Sequence, residues 1–162
     1  ISFTGGEPLL QSEFLKIVSR RTHLMGWKNY LETNGYSEMR FRDVIHNFDY
    51  VSVDLKLREQ LRDPPPDIHE NEIACVEYAH KHGVYTIAKI VIMEDTPPRE
   101  FERACTHIPE GVKLVIQPVT PLRGIRRVSP RKLSLLYTLA TKHLSPEDVM
   151  VIPQIHRVLR VR

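Results

Sequence analysis

The residues best suited to bind a ligand stand where short apolar runs end. Two glycines, Gly5 and Gly6, and then Glu7 follow the first run. Because glycine has no Cβ, a ligand can approach the backbone amides and carbonyls closely at this point. We therefore predict a ligand contact through the backbone here, with an ordinary strand-to-helix turn as the alternative.

Polar residues also end the next two apolar runs. Glu32 and Asn34 close the second run, and Ser52, Asp54 and Lys56 alternate along the third. Alternate residues of a strand point to one face, so Ser52, Asp54 and Lys56 share a face, where they require polar partners. We predict that these residues meet a polar ligand. The alternatives are a polar turn beginning at Asn34 and an ion pair between Asp54 and Lys56.

Two later apolar runs also contain polar residues. Gln117 ends one run, and its side-chain amide can both donate and accept hydrogen bonds. Lys89 lies inside another run, where a charge is costly unless it points into a polar interior or reaches solvent. Cys75 and Cys105 lie far apart in helical patterns, and we interpret both as buried structural thiols.

These candidate residues must be positioned by alternating strands and helices. Six segments are predicted to be extended: residues 1–3, 27–32, 50–55, 86–93, 114–117 and 149–152. Five are predicted to be helical: residues 13–24, 39–46, 71–82, 98–106 and 130–143. Such alternation implies right-handed crossovers and a parallel α/β sheet, with ligand groups at the carboxyl ends of the strands. We predict one domain over residues 1–162, whose six strands are too few for a closed eight-stranded barrel.

Charge and composition exclude several function classes. With 23 basic and 20 acidic residues, the net charge of +3 argues against a protein that coats nucleic acid. No apolar stretch is long enough to span a membrane, and the two cysteines have no evident partner. We therefore expect a cytoplasmic protein that has no membrane or nucleic-acid partner.

Three motifs resemble, in order, those of the radical S-adenosylmethionine (SAM) enzymes: Gly-Gly-Glu-Pro at 5–8, Glu-Thr-Asn-Gly at 32–35 and Asp-Leu-Lys at 54–56. The resemblance implies a partial (β/α)6 TIM-like barrel, SAM as cofactor, and a [4Fe-4S] cluster with which SAM yields a 5′-deoxyadenosyl radical. The residues that it implies for SAM binding are Gly5, Gly6, Glu7, Glu32, Asn34, Ser52, Asp54, Lys56 and Gln117.

The cluster loop of that family has the pattern Cys-x-x-x-Cys-x-x-Cys, precedes Gly-Gly-Glu-Pro, and is not found in this sequence. We therefore expect an N-terminally truncated fragment of the core domain that begins at the Gly-Gly-Glu-Pro strand. Such a fragment is expected to be inactive by itself.

Within the family, Thr4, Gln117-Pro118 and the tail at 153–159 resemble the 7-carboxy-7-deazaguanine synthases. This resemblance implies a carbon-nitrogen lyase that contracts the ring of 6-carboxy-5,6,7,8-tetrahydropterin in queuosine and archaeosine biosynthesis and uses Mg²⁺. Thr4 and His156 would contact the pterin, and no catalytic residue or metal ligand is assigned to this chain. The implied partners are a flavodoxin- or ferredoxin-type reductant and a second copy in a homodimer.

Other interpretations remain open at this point. A glycyl-radical-activating enzyme shares the three motifs, and a fragment unable to bind the cluster could be non-catalytic. Arg123, Arg126 or Arg127 could meet the carboxylate of the pterin. A nucleic-acid-binding role through the arginine-rich end of the chain would depend steeply on salt.

Overall fold

A computed structural model describes residues 1–57, 61, 68–121 and 125–154. Within these ranges, six parallel strands form one sheet in chain order: β1 (Ser2–Phe3), β2 (Tyr30–Thr33), β3 (Tyr50–Leu55), β4 (Tyr85–Ile92), β5 (Lys113–Pro118) and β6 (Val149–Val151). Among the described residues, the α-helices that join successive strands are α1 (Ser12–Leu24), α2 (Glu38–Val44), α3 (Ile68–Lys81), α4 (Pro98–Cys105) and α5 (Pro130–Ala140). The predicted alternation of strands and helices is thereby confirmed.

Local signals account for several helix boundaries. Ser37 caps α2 by accepting from the Arg40 amide, and Ser129 caps α5 while Pro130 occupies the first turn. Gly83 follows α3 with φ +76°, as expected of a residue that stops a helix. These boundaries lie within a few residues of the predicted ones.

The start of β2 differs from the prediction, which had the strand begin at residue 27. Residues 27–29 instead form a connection, in which Asn29 is fully buried. Its side-chain Nδ2 donates to the carbonyls of Ser19 and Asn47, each at 2.8 Å, and its Oδ1 accepts from the Thr22 hydroxyl at 2.8 Å. These hydrogen bonds join Asn29 to residues 10 and 18 positions away, and propensity along the sequence does not encode them.

The two faces of the sheet have opposite character. Leu31, Val53, Ile90 and Ile116 are fully buried and belong to the core that the helices cover. Consecutive right-handed crossovers place the helices on this one face. The strands alternate, so the residues between these core positions point to the opposite face, which carries the polar groups of the candidate site.

No helix among the described residues is long and apolar enough to cross a membrane.

Candidate functional site at the carboxyl ends of the strands

The loop after β1 presents open backbone at the edge of the sheet. Gly5 and Gly6 have φ values of +85° and +55°, and a Cβ added to either would meet no atom within 4 Å. Both glycines and the exposed Thr4 line a pocket of about 360 Å³. The left-handed backbone therefore faces open space, as expected for a ligand contact made by main-chain atoms.

Glu7 ties this loop to the end of β2. Its Oε1 accepts from the Thr33 hydroxyl at 2.6 Å and from the Leu9 amide at 2.9 Å, and its Oε2 accepts from the Asn34 amide at 2.8 Å. Both carboxylate oxygens are thus engaged within the protein. Glu7 was predicted to bind a cofactor, and the structure adds a bracing role that its place beside two glycines did not indicate.

The end of β2 is a tight turn. Asn34 Oδ1 accepts from the Tyr36 amide at 3.0 Å, which is the polar turn considered as an alternative. Gly35 has φ +63°, and a Cβ there would lie 3.0 Å from Val53 Cγ1 and 3.2 Å from Glu72 Cα. The turn therefore requires glycine both for its backbone angle and for space.

A row of charged side chains crosses the polar face of the sheet. Lys89 contacts Glu32 and also lies 2.7 Å, from Nζ to Oδ1, from its register partner Asp54. Asp54 Oδ2 in turn lies 3.3 Å from Lys56 Nζ, so the ion pair considered as an alternative is present. Burial lowers the pKa of Lys89, but the two carboxylates raise it more, and its net pKa lies above the ordinary value.

Register brings the remaining predicted residues to this face. Ser52 pairs with Glu32 across β2 and β3 and is almost fully buried, while the half-buried Gln117 pairs with Val91 two residues beyond Lys89. The structure thus brings together the side chains of Glu32, Ser52, Asp54, Lys56 and Gln117 on one face, with Lys89 at the centre of the charged row.

Four further predicted residues and the two cysteines remain to be considered. His156 and Arg123 lie outside the described residues, and Arg126 and Arg127 are exposed. Cys75 and Cys105 are free and buried, which confirms their interpretation as structural thiols. Within the described part of the chain, no group of three or more His, Cys, Asp or Glu side chains could hold a metal ion.

The sequence interpretation missed one buried acid, Glu72 of α3. It is fully buried, and its carboxylate accepts from the backbone amide of Lys56. Its spacing from the buried Cys75, Val76 and Ala79 places it on the same helical stripe, and that spacing was the available signal.

Comparison with known proteins identifies the family of the chain. No protein-family model matches it. It is 34% identical to the 7-carboxy-7-deazaguanine synthase of Methanothermobacter thermautotrophicus, with 100% of this chain and 70% of that protein covered. The synthases of Methanocaldococcus jannaschii and Thermococcus kodakarensis are 32% and 31% identical, with 98% and 99% of this chain and 66% and 62% of those proteins covered.

The fold also has a solved counterpart. A domain of pyruvate-formate lyase-activating enzyme from Bacteroides vulgatus superposes with a TM-score of 0.73 at 16% identity, covering 94% of this chain and 98% of that one. At this identity the likeness shows the fold alone, the α/β partial barrel. The chain spans about two thirds of the length of the curated relatives it matches. On these relatives, the chain belongs to the 7-carboxy-7-deazaguanine synthase family of radical SAM enzymes.

Proposed function

We propose that this chain is the cofactor- and substrate-binding part of a 7-carboxy-7-deazaguanine synthase. The reaction contracts the ring of 6-carboxy-5,6,7,8-tetrahydropterin with loss of ammonia, on the route to queuosine and archaeosine. The observation that carries the proposal is the alignment of essentially the whole chain with synthases at 28–34% identity. A one-electron reductant of flavodoxin or ferredoxin type and a homodimer belong to the same proposal.

The loop after β1 fits SAM. Gly5 and Gly6 offer unobstructed backbone amides and carbonyls to the methionine end of the cofactor, and any other residue there would be strained. Bound SAM, together with an iron-sulfur cluster, supplies a radical that removes a hydrogen atom from the substrate. The two cysteines of the chain do not fit as cluster ligands because both are buried in helices, so we infer that the cluster thiolates come from outside this chain.

The charged row supplies the polar contacts. Lys56 is about one third exposed, so its ammonium can reach the carboxylate of SAM while Asp54 restrains it. The charges of Lys89 and Lys56 together balance those of Glu32 and Asp54, so the row adds no net negative charge near that carboxylate. Gln117 has amide donors and acceptors for the adenine edge. Thr4 beside the glycines, and His156, are the proposed contacts of the pterin. No step is assigned to Mg²⁺, because the described residues include no cluster of three or more His, Cys, Asp or Glu that could hold it.

The test is turnover under anaerobic conditions, with SAM, a reductant and the pterin. The protein assayed, here and below, is the cluster-loaded protein, in which this chain is joined to the segment that supplies the cluster thiolates. We expect 7-carboxy-7-deazaguanine by liquid chromatography and mass spectrometry. Lys56→Ala and Gln117→Ala should abolish turnover without loss of folding. Lys142→Ala is the matched control, because Lys142 forms an exposed ion pair with Glu102 on the helical face of the sheet.

The outcomes separate the parts of the proposal. SAM cleavage to 5′-deoxyadenosine without the deazaguanine product would exclude the proposed substrate. Unchanged turnover in both alanine variants would remove Lys56 and Gln117 from the site.

A further inference from the structure

Glu72 is a buried carboxyl group that makes only part of its possible hydrogen bonds. Its side chain is 1% exposed, and its Oε2 accepts from the Lys56 amide at 3.0 Å and lies 3.5 Å from His69 Nδ1. Its Oε1 is buried, and among the described residues it has no hydrogen-bond partner. Burial raises the pKa of Glu72 to about 8; the Lys56 amide and ammonium oppose that rise, and Asp54 adds to it.

The Lys56 amide depends on this carboxyl group. β3 ends at Leu55, whose partner in β4 is Ile90, so Lys56 is the first residue beyond the paired part of the strand. A partly buried amide beyond the paired part of its strand still needs an acceptor. Glu72 provides it from α3, 16 positions along the chain.

The beginning of α3 also contacts the preceding strand end. Cys75 Sγ lies 3.8 Å from the Gly35 carbonyl, as a thiol donor, and Glu72 Cα is the backbone atom that leaves no room for a Cβ at Gly35. One segment of α3 therefore packs against the residues that follow both β2 and β3. These are the two strand ends that carry Asn34 and Lys56.

Packing alone does not explain a carboxyl group here. One turn further along α3, Val76 is equally buried and fills its place with apolar atoms. A buried oxygen without a hydrogen bond destabilises the folded state, whereas an apolar side chain of similar size would not. What Glu72 offers, and an apolar residue cannot, is the acceptor for the Lys56 amide.

We propose that Glu72 is a positioning residue for SAM binding: it holds the backbone of Lys56 at the end of β3, so that the Lys56 ammonium is aimed at the cofactor. The inference rests on the proposed function, because it takes Lys56 as a SAM contact. Glu72 itself acts through Lys56 and does not touch the cofactor.

Three variants separate positioning from packing. Glu72→Gln keeps the shape and the acceptor oxygen, Glu72→Leu keeps the volume without an acceptor, and Val76→Ala removes buried apolar atoms from the same helix. The first measurement is the KM for SAM of the cluster-loaded protein, followed by 5′-deoxyadenosine formation. We expect this KM to rise about tenfold in Glu72→Leu and to stay within about threefold of wild type in Glu72→Gln and Val76→Ala. Hydrogen exchange at the Lys56 amide should speed up about tenfold in Glu72→Leu alone, relative to Val53 in the middle of β3.

The results that would overturn the inference differ from those that would overturn the function. Unchanged exchange at Lys56, or the same KM for SAM in Glu72→Leu as in wild type, would overturn the positioning role alone. An equal rise of KM in Val76→Ala would also overturn it, because helix packing would then be the cause. A wild-type protein that forms no 5′-deoxyadenosine would overturn the proposed function, and the positioning role with it.

Discussion

Gly35→Ala tests whether the turn after β2 is as tightly packed as the structure indicates. At φ +63° an alanine costs about 1–2 kcal/mol of backbone strain. Its Cβ would lie 3.0 Å from Val53 Cγ1 and 3.2 Å from Glu72 Cα. Because Glu72 Cα is backbone and Val53 is fully buried, neither can move aside by rotating a side chain, and overpacking adds about 1–3 kcal/mol. Reduced entropy of the unfolded chain offsets up to about 1 kcal/mol of this, so we expect a net loss of about 1–5 kcal/mol.

Gly26→Ala is the matched control for this prediction. Gly26 has a similar φ of +78°, but a Cβ there would meet nothing within 4 Å, so only the backbone strain applies. The assay is urea unfolding followed by circular dichroism, with the free energy of unfolding extrapolated to water. We expect Gly35→Ala to lose about 1–3 kcal/mol more than Gly26→Ala. Equal losses in the two variants would refute the close approach of α3 to this turn.

Three further changes test the buried polar groups by the same unfolding assay. Asn29→Ala removes the shared donor to the Ser19 and Asn47 carbonyls, of which the Ser19 carbonyl keeps the Thr22 hydroxyl, and we expect a loss of about 2 kcal/mol; a loss below about 1 kcal/mol would contradict the network. Lys89→Met leaves two partly buried carboxylates without their shared cation, and we expect a loss of about 2 kcal/mol, whereas an unchanged stability would show that solvent screens the row. Because the pKa of Glu72 is raised to about 8, the folded state binds more protons than the unfolded chain between about pH 4.5 and 8, so this group's contribution to stability falls as pH rises through that range. Glu72→Gln should remove this part of the pH dependence, and an identical pH profile in the variant would contradict the raised pKa.

Much of the fold could be predicted because its signals are local. The strict alternation in β3 placed Ser52 and Asp54 on one face, and the structure finds them there. Lys89 inside an apolar run indicated a polar interior, and it lies at the centre of the charged row. The start of β2 was predicted wrongly because the hydrogen bonds of Asn29 reach residues 10 and 18 positions away, beyond any local pattern.

In the candidate site, too, the local features were predictable and the long-range contacts were not. The residues that end the strands, and the face that each of them takes, could be predicted from the sequence, because alternation along a strand and a glycine's lack of a Cβ are local properties. Which of these groups contact one another depends on the folded structure. Glu7 reaches Thr33 across 26 positions, Glu72 reaches Lys56 across 16, and Lys89 reaches Glu32 across 57. Such pairings depend on the register of parallel strands and on how each crossover helix packs over the sheet, and these are settled only when the whole core forms.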